Sequence, residues 1–81
     1  MSVTGFTMSE REVEWLHFAV DSARRLRSKM TRLVAGSPDW AAENKRREDA
    51  LESARRHAEQ LNILRVPVPA DLAIAMRAEG L

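Results

Sequence analysis

No glycine or proline interrupts residues 9–35, and apolar side chains recur through this stretch at alternating steps of three and four residues. Such spacing places them on one face of an α-helix, as in a heptad seam. Ser9 stands before the seam with Glu12 three residues later, which is the pattern of a capping box. The sequence therefore predicts a first helix over about residues 9–35. Its apolar face comprises Val13, Leu16, Val20, Ala23, Met30 and Val34, widened by Trp15, Ala19, Leu26 and Leu33.

The stretch ends at Gly36-Ser37-Pro38-Asp39. Glycine suits the left-handed residue that follows a helix, serine suits an N-cap, and proline suits the first helical position. So short a connection makes the two helices antiparallel neighbours. The second helix is predicted over about residues 38–63. Because alanines on its apolar face bury little area, the hairpin needs a third element or a partner subunit. That face carries Trp40, Leu51, Ala54, Ala58 and Leu61.

The segment Val66-Pro67-Val68-Pro69 cannot continue the second helix, because each proline lacks a donor and favours an extended residue before it. A short helix is predicted after it, over about residues 69–79, with Gly80 as its stop. The fold class is thus all-α, in a single domain over residues 1–81. We expect an N-terminal arm at 1–8, the long hairpin, and a C-terminal segment at 64–81 that docks on the hairpin or on a neighbouring subunit.

Composition narrows the classes of function. The chain has 81 residues, 13 basic and 12 acidic side chains, a net charge of +1, and no cysteine. Near-neutral charge argues against duplex DNA binding, and the lack of cysteine excludes disulfides and thiolate metal sites. No apolar run approaches the roughly 20 residues of a membrane span, and the N-terminus lacks the pattern of a secretory signal. We expect a cytoplasmic protein without a membrane contact or a cofactor.

Signatures of enzymes are absent: the sequence has neither a glycine-rich phosphate loop nor an H-E-x-x-H motif. His17 and His57 are at similar distances along the chain from the turn, so an antiparallel hairpin brings them to one level. Glu14 or Asp21 could complete a metal site there. Two histidines with assorted acids are a weak metal signal, and ordinary surface histidines are the commoner case. The chain is therefore predicted to be non-enzymatic, with no catalytic residue and no metal ligand.

Two arginines fall where apolar residues are expected. Arg27 interrupts the seam of the first helix and Arg47 that of the second, at similar distances from the turn. Guanidinium groups at a half-buried level are costly unless they are paired. One interpretation is a salt-bridge cluster with Glu43 and Glu48. The other is an anion site for a phosphate or a partner's carboxylate.

The four aromatic residues divide by position. Trp15 and Trp40 lie on the predicted packing faces and are expected in the core. Phe6 in the arm and Phe18 among polar residues are expected to be exposed. Exposed aromatic side chains mark interfaces or base-stacking positions. For Phe6 the alternative is a contact that packs the arm onto the hairpin.

The arm Val3-Thr4-Gly5-Phe6, followed by Ser9-Glu10-Arg11-Glu12-Val13, resembles the start of the phage anti-CBASS sponge proteins. Pro38-Asp39-Trp40-Ala41 is similar to the opening of their second helix. The resemblance covers the first half of the chain. It implies a helical hairpin that assembles into oligomers, typically hexamers, and sequesters cyclic oligonucleotide signals between subunits, so that host defence effectors stay silent. It also implies that Phe6 stacks on a base and that Arg24 or Arg27 holds a phosphate.

Two hypotheses of function follow. The first is a non-enzymatic homo-oligomer, phage-encoded and anti-defence in role, that sequesters a small anionic signal such as a cyclic nucleotide. Its ligand-binding residues would be Arg24, Arg27 and Arg47, with Phe6 and Phe18 stacking or forming interfaces. The second is a protein-protein interaction module or inhibitor that binds a protein partner through its helical faces.

Overall fold

Three helices form the part of the chain that the computed structural model describes, residues 8–81. They are α1 (Met8–Met30), α2 (Pro38–Ile63) and α3 (Ala70–Ala78), and these residues include no strand. The predicted fold class is confirmed: α1 and α2 pack side by side as a long hairpin, and a short third helix follows. The arm before residue 8, with Phe6, lies outside the described residues.

The bounds of α1 differ from the prediction at both ends. It begins at Met8, so Ser9 lies inside the helix rather than at its cap. It ends at Met30 and not near residue 35, because the backbone N–H groups that follow tighten to carbonyls three residues earlier, as from Leu33 to Met30 at 3.0 Å. Val34 therefore leaves the apolar seam and is exposed.

The turn into α2 follows the sequence prediction closely. Gly36 adopts a φ of +84°, and the Ser37 N–H closes the turn on the Val34 carbonyl at 3.0 Å. The Ser37 hydroxyl oxygen then accepts from the Trp40 N–H at 3.2 Å, which caps α2, and Pro38 occupies the first helical position. The antiparallel path of the hairpin is set by this segment.

The end of α2 has a feature that the sequence analysis did not predict. The Val66 N–H reaches the Leu61 carbonyl at 2.9 Å and the Arg65 N–H reaches the Asn62 carbonyl at 3.1 Å, which is a Schellman motif. Arg65 takes the left-handed position with a φ of +59°, where glycine is usual. The motif turns Val66 back onto the core and directs the linker toward α3. Arg65 adopts a conformation at this point that is strained for a residue with a side chain.

Replacing Arg65 by glycine is expected to raise the free energy of unfolding by about 0.5–1 kcal/mol. Glycine removes the roughly 1–2 kcal/mol cost of a side chain at positive φ, partly offset by its freedom in the unfolded chain. Denaturant unfolding of the variant measures the gain. Arg56→Gly in the interior of α2 is the control, and it should lose about 1 kcal/mol. Equal losses at both positions would contradict the left-handed assignment.

A second Schellman motif ends α3. The Gly80 N–H bonds to the Arg77 carbonyl at 3.0 Å and the Leu81 N–H to the Met76 carbonyl at 2.9 Å, with Gly80 at a φ of +84°. Leu81 folds back onto the core, and Glu79 is held just before the turn with its side chain directed at the hairpin.

The core is small and draws on all three helices. It is built from Leu16, Ala19 and Val20 of α1, Ala54 and Leu61 of α2, and Leu72 of α3. Partly buried side chains close it, including Val66 and Val68 of the linker. An 81-residue chain buries a limited share of its surface, so the C-terminal segment is an integral layer of this core.

None of the three described helices combines the length and apolarity that a bilayer crossing requires.

Candidate functional site

Arg27 and Arg47 lie at one level of the hairpin, and both contact a carboxylate from α3's end, that of Glu79. Arg27 donates from Nε to Oε1 at 3.0 Å and from Nη2 to Oε2 at 2.8 Å. Arg47 donates from Nη2 to Oε1 at 3.4 Å and to the Glu79 carbonyl at 3.5 Å. Arg27, Arg47 and Glu79 are called the arginine cluster below. The hydrogen bonds that Arg27 donates to Glu79 raise the pKa of Arg27.

Burial within the arginine cluster is uneven. Glu79 is only 4% exposed, whereas Arg27 lies largely in solvent and Arg47 is mostly buried. Nε of Arg47 has no hydrogen-bond partner among the described residues. The Glu79 carboxylate lies between the two guanidinium groups and accepts hydrogen bonds from both. The cluster therefore carries its own anion.

The carboxylates expected beside these arginines lie elsewhere, so the predicted partners Glu43 and Glu48 are wrong. Glu43 is buried and accepts from Nζ of Lys29 at 3.0 Å, with Arg46 at 3.7 Å. Glu48 accepts from Asn44 on the same helix. Glu79 was missed because it is far away in sequence. One signal could have found it: an acid at a helix C-terminus opposes the helix dipole and needs a cation nearby.

Arg24 lies on the exposed surface of α1, three residues before Arg27, and its partner is a different carboxylate. It donates to Asp21 at 2.7 Å, and Arg25 contacts the other oxygen of the same carboxylate at 2.9 Å. The hydrogen bond from Arg24 holds the pKa of Asp21 below its ordinary value of 3.8. The small stabilisation from this exposed pair is thus present above that value and is lost as the pH falls through the lowered pKa.

His17 and His57 lie in different environments. Nδ1 of His57 lies 2.6 Å from Oε2 of Glu12, across the hairpin. His17 is exposed and lines a depression shared with α3, beside Asp21 and Asp71. Among the described residues, no group of three or more histidine, aspartate or glutamate side chains is placed to hold a metal ion.

An apolar depression with a volume of about 460 Å³ runs between α1 and α2. We call it the open groove. Trp15 and Phe18 stand along its α1 side, while small residues form its floor and far end. Its lining comprises Trp15, Phe18, Ala19 and Ser22 of α1 with Ala50, Ser53 and His57 of α2. No described part of the chain covers these aromatic rings.

The prediction that Trp15 belongs to the core is wrong, since half of its surface is exposed. It lies about 100° around the helix from Leu16, which is fully buried. Opposite it, α2 presents small side chains and His57, so the ring remains in the groove with its centroid 5.4 Å from that of His57. Phe18 is 74% exposed, as the sequence predicted.

The third helix covers a different flank of the hairpin. Leu72 and Ala75 of α3 meet α1 beside His17, Val20 and Arg24. The open groove lies on the flank of α1 that carries Trp15, Phe18 and Ser22. One side of the hairpin is therefore closed by the chain itself, and the other presents an aromatic surface.

Comparisons with protein-family models, curated proteins and solved structures find no match to this chain.

Proposed function

We propose that this protein is a non-enzymatic helical interaction module that acts by burying its open groove against another polypeptide. The observation that carries this proposal is the exposure of Trp15 and Phe18 beside a floor of alanine and serine. Small residues let another helix approach closely, and aromatic side chains supply most of the energy of many interfaces. In a helix bundle, each apolar flank of a helical hairpin packs against a further helix, and here one such flank is left exposed.

The alternative is sequestration of an anionic signal such as a cyclic nucleotide. The positions of the side chains give this alternative less support, because Glu79 already pairs with Arg27 and Arg47, the two arginines most suited to a phosphate. Arg24 is occupied by Asp21 on the open surface. Phe18 lies in the groove, away from the arginine cluster. An anion would have to displace the protein's own buried carboxylate to reach Arg27 and Arg47 together.

Thermal unfolding against a panel of cyclic di- and trinucleotides separates the two functions. We expect no ligand to raise the melting temperature, because the buried Glu79 carboxylate already pairs with both arginines of the cluster. A rise that disappears in Arg27→Ala or Arg47→Ala would overturn the interaction function in favour of sequestration. A ligand raises the melting temperature only if it binds the folded state in preference to the unfolded state.

Phe18→Ser is expected to change the free energy of unfolding by less than about 0.5 kcal/mol in dilute solution, since surface substitutions lie in this range. The side chain is largely in solvent and adds little to the folded monomer. Leu16→Ala, two positions earlier on the buried face, should lose about 3 kcal/mol. Denaturant titrations of both variants give the comparison. A loss of more than about 2 kcal/mol for Phe18→Ser would place the ring in the core and remove the basis of the proposal.

A further inference from the structure

Charged side chains flank the open groove along α1. Glu14 lies beside Phe18 at the aromatic end. Arg25 is seven residues beyond Phe18, which returns it to the same stripe of the helix at the opposite end of the groove. The α1 edge of the groove thus runs from an acid at its N-terminal end to a base at its C-terminal end.

The α2 edge repeats this order. Asp49 is four residues before Ser53 and Arg56 is three residues after it, so all three share a stripe. Because α2 runs antiparallel to α1, its base lies at the aromatic end and its acid at the small-residue end. Like charges therefore occupy diagonal corners of the groove, and each end carries one acid and one base.

The two patterns share a centre. The midpoint between Glu14 and Arg25 falls beside Ala19, and that between Asp49 and Arg56 falls beside Ser53. Cross-hairpin pairs set the levels of the helices: Glu12 meets His57, and Lys29 meets Glu43. Interpolation between these pairs places Ala19 level with Leu51, about 3 Å along the helix from Ser53. A single axis across the helices at this level exchanges Glu14 with Arg25 and Asp49 with Arg56.

The shape of the groove has the same property. Its bulky side chains, Trp15, Phe18 and His57, gather toward one end, and Ser22 and Ala50 line the other. Rotation about the same axis lays the bulky end of one groove over the small end of another. Charge and shape are both self-complementary about one line.

From this we propose that the occupant of the open groove is a second copy of this chain. The two hairpins stack face to face about a two-fold axis that crosses the helices near Ala19 and Ser53. Together they form a four-helix assembly of two layers. Glu14 of one copy faces Arg25 of the other, and Asp49 faces Arg56. The inference rests on the interaction function proposed above and names its partner. It is an isologous contact, which closes at two copies.

Existing ion pairs do not prevent these contacts. Arg25 contacts Asp21 and Arg56 contacts Glu52, each within one exposed helix turn. Exposed pairs of this kind contribute little to stability, so the arginines can share or exchange partners. The overlap from Glu14 to Arg25 spans about 17 Å of helix, which suits an interface near the lower limit of roughly 1,200 Å². We expect a dissociation constant in the micromolar range.

Sedimentation velocity of the whole chain tests the proposal over roughly 1–300 µM, which brackets that affinity. The mass should rise from 9.2 kDa toward twice this value as concentration increases. Phe18→Glu should remain monomeric throughout, because it places two carboxylates near the axis. Circular dichroism should show that the Phe18→Glu variant keeps its helical fold, because the position is exposed. Glu59→Arg, at an exposed position of α2, is the control for a change of surface charge and should dimerise normally.

The absence of cysteine from the chain allows a test of the orientation. Ser53→Cys should form a symmetric disulfide-linked dimer under mild oxidation, because the axis brings the two positions together. Ser28→Cys, which is exposed near the end of α1, is the control and should not cross-link. A dimer that cross-links through residue 28 rather than 53 would overturn the proposed stacking.

A monomeric mass across the whole range would overturn the second copy as the occupant. So would a dimer that persists in Phe18→Glu. Neither result removes the broader interaction function, which depends on Phe18→Ser leaving the free energy of unfolding nearly unchanged. The failures of the two proposals are therefore distinguishable.

Discussion

Replacing Glu79 by glutamine is expected to lower the free energy of unfolding by about 2–3 kcal/mol, the cost of removing one partner from a buried charge pair. The carboxylate is buried and contacts both Arg27 and Arg47. Glutamine preserves its shape and removes its charge, which leaves the mostly buried Arg47 guanidinium without an anion. The loss should be smaller in Arg27→Ala, because that side chain is largely solvated.

Chemical denaturation with circular dichroism measures the change, and Glu59→Gln on the exposed surface of α2 is the matched control. That control should stay within about 0.5 kcal/mol of the parent protein. Inorganic phosphate adds a second readout. If the loss arises from an unpaired guanidinium, phosphate should restore stability to Glu79→Ala more than to the parent protein. An unchanged stability in Glu79→Gln would show that the arginine cluster does not hold α3 in place.

The helical hairpin was predictable because its signals are local. The glycine, serine and proline at the turn each act through the conformation of their own backbone, and the structure places them as expected. Periodic apolar residues likewise identify the buried face of α1 through Leu16, Val20 and Ala23. Such features need no knowledge of what lies across the fold.

The error at the C-terminal end of α1 has a structural cause. The apolar period continues through Leu33 and Val34, so the sequence favours helix there, yet the chain must unwind to reach the cap at Ser37. The hydroxyl of Thr31 donates to the Ser28 carbonyl at 2.7 Å, at the point where the helical bonding ends. Propensity and periodicity carry no information on where the return path must begin.

The candidate site was only partly predictable. The common level of Arg27 and Arg47 followed from the antiparallel path, whereas their partner depends on how α3 folds back over the hairpin. The exposure of Trp15 depends on the small side chains opposite it on α2. Both are tertiary facts, because they are set by the residues that another helix brings to the same place.

Leu72→Ala is expected to lower the free energy of unfolding by about 3 kcal/mol. Leu72 is 2% exposed and is the residue by which α3 enters the shared core beside Leu16, Val20 and Leu61. Its truncation leaves a cavity between helices that are already lined with alanine and have little capacity to close it. For a chain of this length the loss is a large fraction of the total stability.

Ile74→Ala provides the control on the same helix, because Ile74 is 67% exposed and its truncation should cost less than about 0.5 kcal/mol. Hydrogen exchange locates the effect: protection should fall first at the amides of α3 and at the linker that carries Val66 and Val68. The hairpin amides around Ala54 should follow, since they share the core with Leu72. Equal losses in the two variants would mean that α3 adds no buried layer, and the arginine cluster alone would then fix the C-terminal segment.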